Sequence, residues 1–154
     1  MALTIGDCLS PERVCFVTGN TKHEALEELI DLLAGSAAIG DRAALAQAVW
    51  HREELMSTGI GIGIAVPHVR LKGVTKTVMA VGVHRKGLTD YASIDGKPVH
   101  IIALIAAGEG QHAEYLRLLA QVVDILKDPA RRASILGQND PKEVHRLLTS
   151  GGAR

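Results

Sequence analysis

Residues 52–68 read REELMSTGIGIGIAVPH, and this stretch is the most informative part of the chain for both fold and function. Arg52 closes a helical pattern, a Ser-Thr-Gly turn follows, and glycine then alternates with isoleucine up to a Pro-His pair. Strict alternation predicts a strand over residues 60–66, with isoleucine and valine on one face and only glycine and alanine on the other. A bare face predicts the close approach either of a ligand or of another part of the backbone.

His68 and Arg52 are the candidate residues for chemistry in this stretch. Pro67 stiffens the chain that enters His68, and a neutral imidazole is a good nucleophile near neutral pH. The planar guanidinium of Arg52 can hold a phosphate through two parallel hydrogen bonds. Each residue also has an ordinary interpretation, as a half-buried histidine bonded to a carbonyl group and as an arginine on a solvated helix face. Their occurrence together favours a site that holds a phosphoryl group on the imidazole.

The turn and the first glycines predict further contacts to a phosphate. The hydroxyl groups of Ser57 and Thr58 could donate hydrogen bonds, and the backbone N–H groups from Thr58 to Gly61 could form an anion-binding nest. We therefore assign Ser57, Thr58, Gly59 and Gly61 to the predicted pocket. The glycines lack the spacing of a dinucleotide-binding motif and no Walker lysine follows, so the pattern is not that of a nucleotide site.

The rest of the chain predicts one α/β domain with a mixed β-sheet flanked by helices on both faces. A short strand is expected around residues 14–17, capped helical patterns cover residues 21–35 and 41–55, and apolar strands cover residues 77–84 and 99–106. A long helix over residues 111–127 precedes two short helices that Asp-Pro pairs open. On the long helix, one apolar side is formed by Leu116, Leu119, Ala120, Val123 and Leu126.

Composition narrows the class of protein. The chain has 154 residues, 47% of them apolar and 22% charged, with 17 basic and 17 acidic side chains. The balanced charge argues against a nucleic-acid partner. No apolar run reaches membrane-spanning length and no signal peptide is visible, so we expect a cytoplasmic protein. Cys8 and Cys15 do not form a disulfide framework, the histidines lack metal-ligand spacing, and we predict neither a metal nor a cofactor.

The signature in residues 52–68 resembles the active site of EIIA domains of the phosphoenolpyruvate-dependent phosphotransferase system (PTS), of the mannitol/fructose and nitrogen-regulatory type. The similarity extends over nearly the whole chain, as a single EIIA domain over residues 1–154 with its core at about 4–149. The matching residues are Arg52-Glu53, Ser57-Thr58-Gly59-Ile60-Gly61 and Gly63-Ile64-Ala65-Val66-Pro67-His68.

This resemblance implies a histidine phosphocarrier, the phosphotransferase component of such a system. His68 would accept a phosphoryl group from the phosphohistidine of HPr or of NPr, its nitrogen-branch counterpart, and Arg52 would stabilise the phosphate. The phosphoryl group would then pass to a sugar-specific EIIB protein or act as a signal in nitrogen and carbon regulation through target proteins. No nucleotide is needed for such an exchange.

Two positions depart from the resemblance. The family usually has a second active-site histidine near the start of the long helix, and here that position is Tyr115, with His112 one turn earlier. Tyrosine can donate a hydrogen bond to a phosphate but cannot carry positive charge. Three outcomes are open: Tyr115 substitutes for the histidine, His112 substitutes for it, or transfer is slow or lost and the protein is an EIIA-like regulatory binding module. Ile62 is a smaller departure, since this position is often polar or small.

Overall fold

The computed structural model describes residues 4–150 and contains six α-helices and six β-strands in that range. No helix in this part of the chain is both long and apolar enough to cross a lipid bilayer. The helices are α1 (Ile5–Cys8), α2 (Lys22–Ala34), α3 (Arg42–Leu55), α4 (His112–Leu126), α5 (Pro129–Leu136) and α6 (Pro141–Ser150). The strands are β1 (Val14–Phe16), β2 (Gly59–Gly61), β3 (Ile64–Ala65), β4 (His68–Arg70), β5 (Val78–Leu88) and β6 (Val99–Ala107).

The strands form one mixed sheet in the order β1-β5-β6-β3-β2, and β4 pairs with β6 beyond the end of β3. The pairs β1–β5, β3–β6 and β4–β6 are parallel, whereas β5–β6 and β2–β3 are antiparallel. Strand β6 is buried on both faces, as expected for a strand covered by helices on either side. The predicted fold class, a mixed sheet between helices, is confirmed.

Alternate residues of β6 belong to two separate cores, because successive side chains of a strand point to opposite faces. One core joins the sheet to α1, α4, α5 and α6, and the other joins it to α2 and α3. The first core contains Ile101, Ala103, Ile105 and Ala107, and the second contains Ile102, Leu104 and Ala106.

Side-chain caps fix the starts of the two helices that precede the signature. The hydroxyl of Thr21 accepts the N–H of Glu24 at 3.1 Å, and the carboxylate of Asp41 accepts the N–H of Ala44 at 3.1 Å. Both predicted caps are confirmed. The carboxylate of Glu24 reaches back one residue further than a capping box requires, to the N–H of Asn20 at 3.0 Å.

The predicted single strand over residues 60–66 is wrong, because β2 and β3 form a hairpin. Gly61, Ile62 and Gly63 have φ values of 98°, 53° and 80°. Positive φ at both central residues is the requirement of a two-residue type I′ turn, so the glycines serve the turn rather than a bare strand face. Ile60 and Ile64 still pack against the same core, as the alternation predicted, while Ile62 lies at the tip and is 41% exposed.

The apolar side assigned to α4 is only partly its buried side: Leu126 is buried and Leu119 packs, partly buried, against the first core, whereas Ala120 is exposed. Leu116 is 48% exposed, whereas its neighbour Tyr115 is only 6% exposed. The helix carries two adjacent apolar stripes about one residue apart, and the periodicity selected the stripe at the edge of the buried face. The buried residues are Tyr115, Leu118, Val122, Ile125 and Leu126.

Candidate functional site

His68 begins β4, where parallel pairing with β6 holds its backbone opposite Ile105. The side chain has the same parity as Val66 and projects to the side of the sheet covered by α4. There the imidazole stacks on the ring of Tyr115, with 4.6 Å between ring centroids and 26° between ring planes. The strand and the helix therefore set the orientation of the imidazole together.

A hydrogen bond to the backbone distinguishes the two ring nitrogens of His68. Nδ1 lies 3.1 Å from the carbonyl oxygen of Val66, which can only accept. We therefore assign the proton to Nδ1, which leaves the lone pair of the neutral ring on Nε2. Burial lowers the pKa of His68, against the opposing effect of the Val66 carbonyl, and the positive charge of Arg52 lowers this pKa further. The ring is thus neutral and nucleophilic at neutral pH.

Arg52 lies in the last turn of α3, and its guanidinium is held at the end of that helix. Nη1 donates a hydrogen bond of 3.1 Å to the carbonyl oxygen of Met56. A guanidinium has five N–H donors in a fixed plane, so this bond orients the group without exhausting it.

Arg52 and His68 line two neighbouring cavities, of about 640 Å³ and 420 Å³. The other residues of the larger cavity are Ala48, His51, Val69, Arg70, Glu109, His112 and Tyr115. Those of the smaller cavity are Met56, Ser57, Thr58, Gly59, Ile60, Val66, Ala92, Ser93, Ile94 and Leu119. The structure therefore brings together the two residues that the sequence selected for chemistry.

Ser57 and Thr58 line the smaller cavity, but their hydroxyl groups are bonded within the protein. Oγ of Ser57 donates to the carbonyl oxygen of Ala92 at 2.6 Å. Oγ1 of Thr58 donates to Oε2 of Glu53 at 2.6 Å and lies 2.6 Å from the hydroxyl of Tyr91. Since a hydroxyl has one proton to donate, Thr58 has none left for a phosphate in this arrangement.

The two predicted pocket glycines have different surroundings. Gly59 lines the smaller cavity, and a Cβ there would lie 2.3 Å from the carbonyl oxygen of Ala92. The sequence left open whether the glycines allow the approach of a ligand or of another backbone segment. At Gly59 it is a backbone segment that approaches closely. Gly61 is not among the residues that line either cavity, and a Cβ there would lie 3.4 Å from the carboxylate of Asp95.

The hairpin tip does bind an anion, but that anion is a side chain of the protein. The N–H of Ile62 donates to Oδ2 of Asp95 at 2.9 Å. Hydrogen bonds from the N–H groups of Ile62 and Lys97 lower the pKa of Asp95, so the carboxylate stays ionised. This contact ties the hairpin to the loop before β6.

Tyr115, and not His112, is the residue of α4 that lies against His68. His112 is exposed at the first turn of the helix, and its ring centroid is 6.0 Å from that of Tyr115 at an angle of 42°. Burial raises the pKa of Tyr115, so its phenol is a neutral hydrogen-bond donor.

Sequence reasoning missed Arg70, His51 and Glu109, which line the larger cavity. Arg70 lies two residues beyond His68 on β4, so the two side chains share one side of the strand, and the alternation rule could have identified it. His51 directly precedes Arg52, in a charged run that indicated a solvated surface. Glu109 precedes α4 in a loop that carries no pattern. Within residues 4–150 no group of three or more His, Cys, Asp or Glu side chains could hold a metal ion.

Comparison with known proteins defines the class to which this fold and site belong. Residues 8–151 match the family described as "Phosphoenolpyruvate-dependent sugar phosphotransferase system, EIIA 2". Because the match covers nearly all of the chain, this protein belongs to the EIIA type 2 family of that system. The resemblance found in the signature is confirmed, and the family consists of phosphotransfer components.

Individual relatives include both regulatory and sugar-specific proteins. The chain is 29% identical over 147 residues to a nitrogen regulatory protein of Bradyrhizobium diazoefficiens, covering 95% of each chain. It is 33% identical over 120 residues to the fructose-specific EIIABC component of Bacillus subtilis, covering 78% of this chain but only 19% of that protein. The crystal structure of nitrogen regulatory protein IIA-Ntr from Neisseria meningitidis superposes with a TM-score of 0.85 at 28% identity, covering 94% of this chain and 99% of that one.

Proposed function

We propose that this protein is a histidine phosphocarrier in which Nε2 of His68 accepts a phosphoryl group from the phosphohistidine of an HPr- or NPr-type carrier. The observation that carries the proposal is the Nδ1–Val66 hydrogen bond beside Arg52, which leaves Nε2 as the nucleophilic nitrogen. The Nε2 lone pair forms the new P–N bond, and the bond between phosphorus and the donor imidazole breaks, with its electron pair returning to the donor ring. The Nδ1 proton stays in place, and the Val66 carbonyl stabilises the positive charge that develops on the ring.

Arg52 supplies the electrostatic part of the reaction. Phosphoryl transfer spreads negative charge over the equatorial oxygens, and the protein contributes chiefly positioning and charge stabilisation. The guanidinium is already oriented by Met56 at the wall that it shares with His68. In this proposal Ser57, Thr58 and Gly59 shape the pocket through their backbone.

Tyr115 takes the place of a second histidine in this proposal. Its ring stacks on His68 and holds the imidazole in the plane needed for in-line attack. Its neutral hydroxyl can donate to a phosphate oxygen, but it adds no positive charge.

An apolar rim around the site suits a docking carrier protein. Such exposed groups beside a polar centre are typical of transient interfaces. Met56 and Ile94 line the smaller cavity; Leu55 directly precedes Met56 at the end of α3, and Leu116 lies one turn before Leu119 of the cavity wall on α4. All four side chains are exposed, at 69% for Leu55, 69% for Met56, 84% for Ile94 and 48% for Leu116.

The next partner in this proposal is an EIIB protein or a regulatory target, in the cytoplasm. The name of the Bacillus subtilis relative combines EIIA with B and C components, which supports transfer to EIIB. The names of the Bradyrhizobium and Neisseria relatives support a role in nitrogen regulation.

Labelling tests the acceptor. With phosphoenolpyruvate, enzyme I and an HPr- or NPr-type carrier, the protein should gain one acid-labile phosphoryl group, detected by its added mass. We expect His68→Gln to abolish the gain and His23→Gln, at an exposed position on α2, to preserve it. Equal labelling of His68→Gln and the unaltered protein would show that His68 is not the acceptor.

A regulatory binding module with slow or lost transfer is the second candidate, because Tyr115 cannot carry positive charge beside His68. Tyr115→His separates the two candidates in a time course with a limiting amount of carrier. A large increase in the rate of uptake would favour the module. Uptake that is as fast in the unaltered protein as in Tyr115→His would eliminate it.

A further inference from the structure

A buried charged network lies behind the smaller cavity, centred on Glu53 of α3. The side chain of Glu53 is 3% exposed. Its Oε1 lies 2.8 Å from Nζ of Lys22, an ion pair without hydrogen-bond alignment, and its Oε2 accepts the hydroxyl of Thr58 at 2.6 Å. The Lys22 ammonium also lies 4.6 Å from the ring centroid of Tyr91, whose hydroxyl contacts that of Thr58. The network therefore joins α2, α3, the turn before β2 and the loop after β5.

Two further hydrogen bonds connect this network to the acceptor histidine. The carbonyl oxygen of Thr58 accepts the N–H of Val66 at 3.1 Å. The carbonyl oxygen of Val66 in turn accepts Nδ1–H of His68 at 3.1 Å. A continuous series of contacts thus runs from Lys22 through Glu53, Thr58 and Val66 to the ring nitrogen that does not react.

Glu53 is costly to bury, which makes its environment specific. An ionised carboxylate taken out of water must be paired and hydrogen-bonded, or it destabilises the fold. Here Oε1 is ion-paired with Lys22 but has no hydrogen bond, and Oε2 accepts the hydroxyl of Thr58, so the stability of the buried charge depends on these two contacts. Arg52 directly precedes Glu53 on α3, so the two side chains leave the helix about 100° apart, Glu53 towards the network and Arg52 towards the cavities.

We propose that Glu53, held by Lys22 and Thr58, is a positioning residue that keeps the Val66 carbonyl on Nδ1 of His68 and thereby directs Nε2 into the cavity. This inference rests on the proposed function, since it concerns which nitrogen is presented for transfer. The orientation and tautomer of His68 can nevertheless be measured without a phosphoryl donor.

Glu53→Gln is the principal variant, because it removes the charge and keeps the shape. Glu54→Gln is the matched control, an exposed neighbour on the same helix with the same change of charge. In the unaltered protein, ¹⁵N NMR of the imidazole should show the Nδ1–H tautomer of His68. We expect Glu53→Gln to shift His68 towards the Nε2–H tautomer, and Glu54→Gln to leave it unchanged.

Transfer kinetics provide the second measurement. The network lies behind the cavity rather than on the exposed rim, so the KM for the phosphorylated carrier should stay the same in Glu53→Gln. The kcat should fall about tenfold, within the range that a small misplacement of reacting groups produces. Thr58→Val should act in the same direction, and Thr58→Ser should restore the tautomer and kcat because it retains the hydroxyl. This pair decides the proposal if Glu53→Gln does not fold.

Two results would overturn the proposal: a folded Glu53→Gln or Thr58→Val with the tautomer of the unaltered protein, or a change confined to KM. If the variants lose thermal stability but keep the kcat and the tautomer of the unaltered protein, the network only stabilises the fold and the proposal is likewise wrong. If the unaltered protein accepts no phosphoryl group, the proposed function fails, and the tautomer of His68 still tests the positioning by Glu53.

Discussion

Replacing Ile62 by asparagine should stabilise the protein, because the hairpin tip holds a β-branched residue in an unfavourable conformation. A φ of 53° lies in the left-handed region, which costs an L-residue about 1–2 kcal/mol. Asparagine tolerates this region and is preferred at the first central position of a type I′ turn. Ile62 belongs to neither core and is 41% exposed, so little apolar burial is lost. We expect a net gain of about 1 kcal/mol in the free energy of unfolding.

Urea denaturation measures this gain. The midpoint should rise with an unchanged m value, and the melting temperature should rise by about 2–4 °C for a chain of this size. The control is Ile94→Asn, the same exchange at a position that is 84% exposed and has an ordinary φ. That variant should stay within about 0.5 kcal/mol of the unaltered protein. An Ile62→Asn protein no more stable than the unaltered one, beside a neutral Ile94→Asn, would refute the inference that the turn is strained.

Three further predictions concern the buried face of α4, the contact of β2 with a neighbouring loop, and His68, the proposed acceptor. Leu118→Ala should lower the free energy of unfolding, measured by urea denaturation, by about 2–5 kcal/mol because Leu118 is fully buried. Leu116→Ala, at an exposed position, should lower it by less than about 0.5 kcal/mol. Equal losses would contradict the assignment of Leu118 to the buried face of α4. Gly59→Ala should lower the free energy of unfolding by about 1–3 kcal/mol because the added Cβ meets a backbone oxygen. Gly40→Ala, with open space around it, should leave the free energy of unfolding unchanged. An equally neutral Gly59→Ala would contradict the close approach of the neighbouring backbone to Gly59. Burial lowers the pKa of His68, so its NMR titration should have a midpoint below 6.5. Acidification should therefore slow phosphoryl uptake only at pH values below 6.5. A measured pKa above 6.5 would contradict the effect of burial.

Local signals in the sequence predicted helices α2 to α6 and strands β1, β5 and β6, whereas α1 and β4 were not predicted. The caps at Thr21 and Asp41 depend on side chains three residues from their partners, so the sequence alone contains them. The strands of the central sheet are apolar runs bounded by turn residues, and their positions follow from that pattern.

The hairpin could not be distinguished from a single strand on the basis of alternation. Glycine at every second position satisfies a strand with a bare face, and it equally places Gly61 and Gly63 where positive φ is required. Ile62 concealed the turn, because a β-branched residue is among the least expected at positive φ.

The face of α4 was misjudged because an exposed surface of this helix is apolar. Periodicity locates an apolar stripe and assumes that it is buried, but Leu116 is exposed. An exposed apolar surface therefore weakens the signal that would identify the core.

Glu53 was overlooked for a different reason. Within the run His51-Arg52-Glu53-Glu54 its neighbours indicated a solvated helix face, and its burial depends on Lys22 from another helix. Such a tertiary partner has no local signature. Recognition of the signature did select Arg52 and His68, but counting along the chain could not show that Tyr115 stacks on His68.

The parallel pairing of β4 with β6 has a consequence for how the protein is made. His68 lies opposite Ile105, and β1 near the start of the chain pairs with β5, so the sheet is assembled from distant segments. Non-local pairings require large loops to close before they contribute any stability, and they slow folding. On the ribosome, the segment that carries His68 must wait for β6 and α4 to be synthesised before its environment exists. Phosphoryl uptake would therefore report on completed folding of the central sheet, in a nascent or refolding chain as much as in the mature protein.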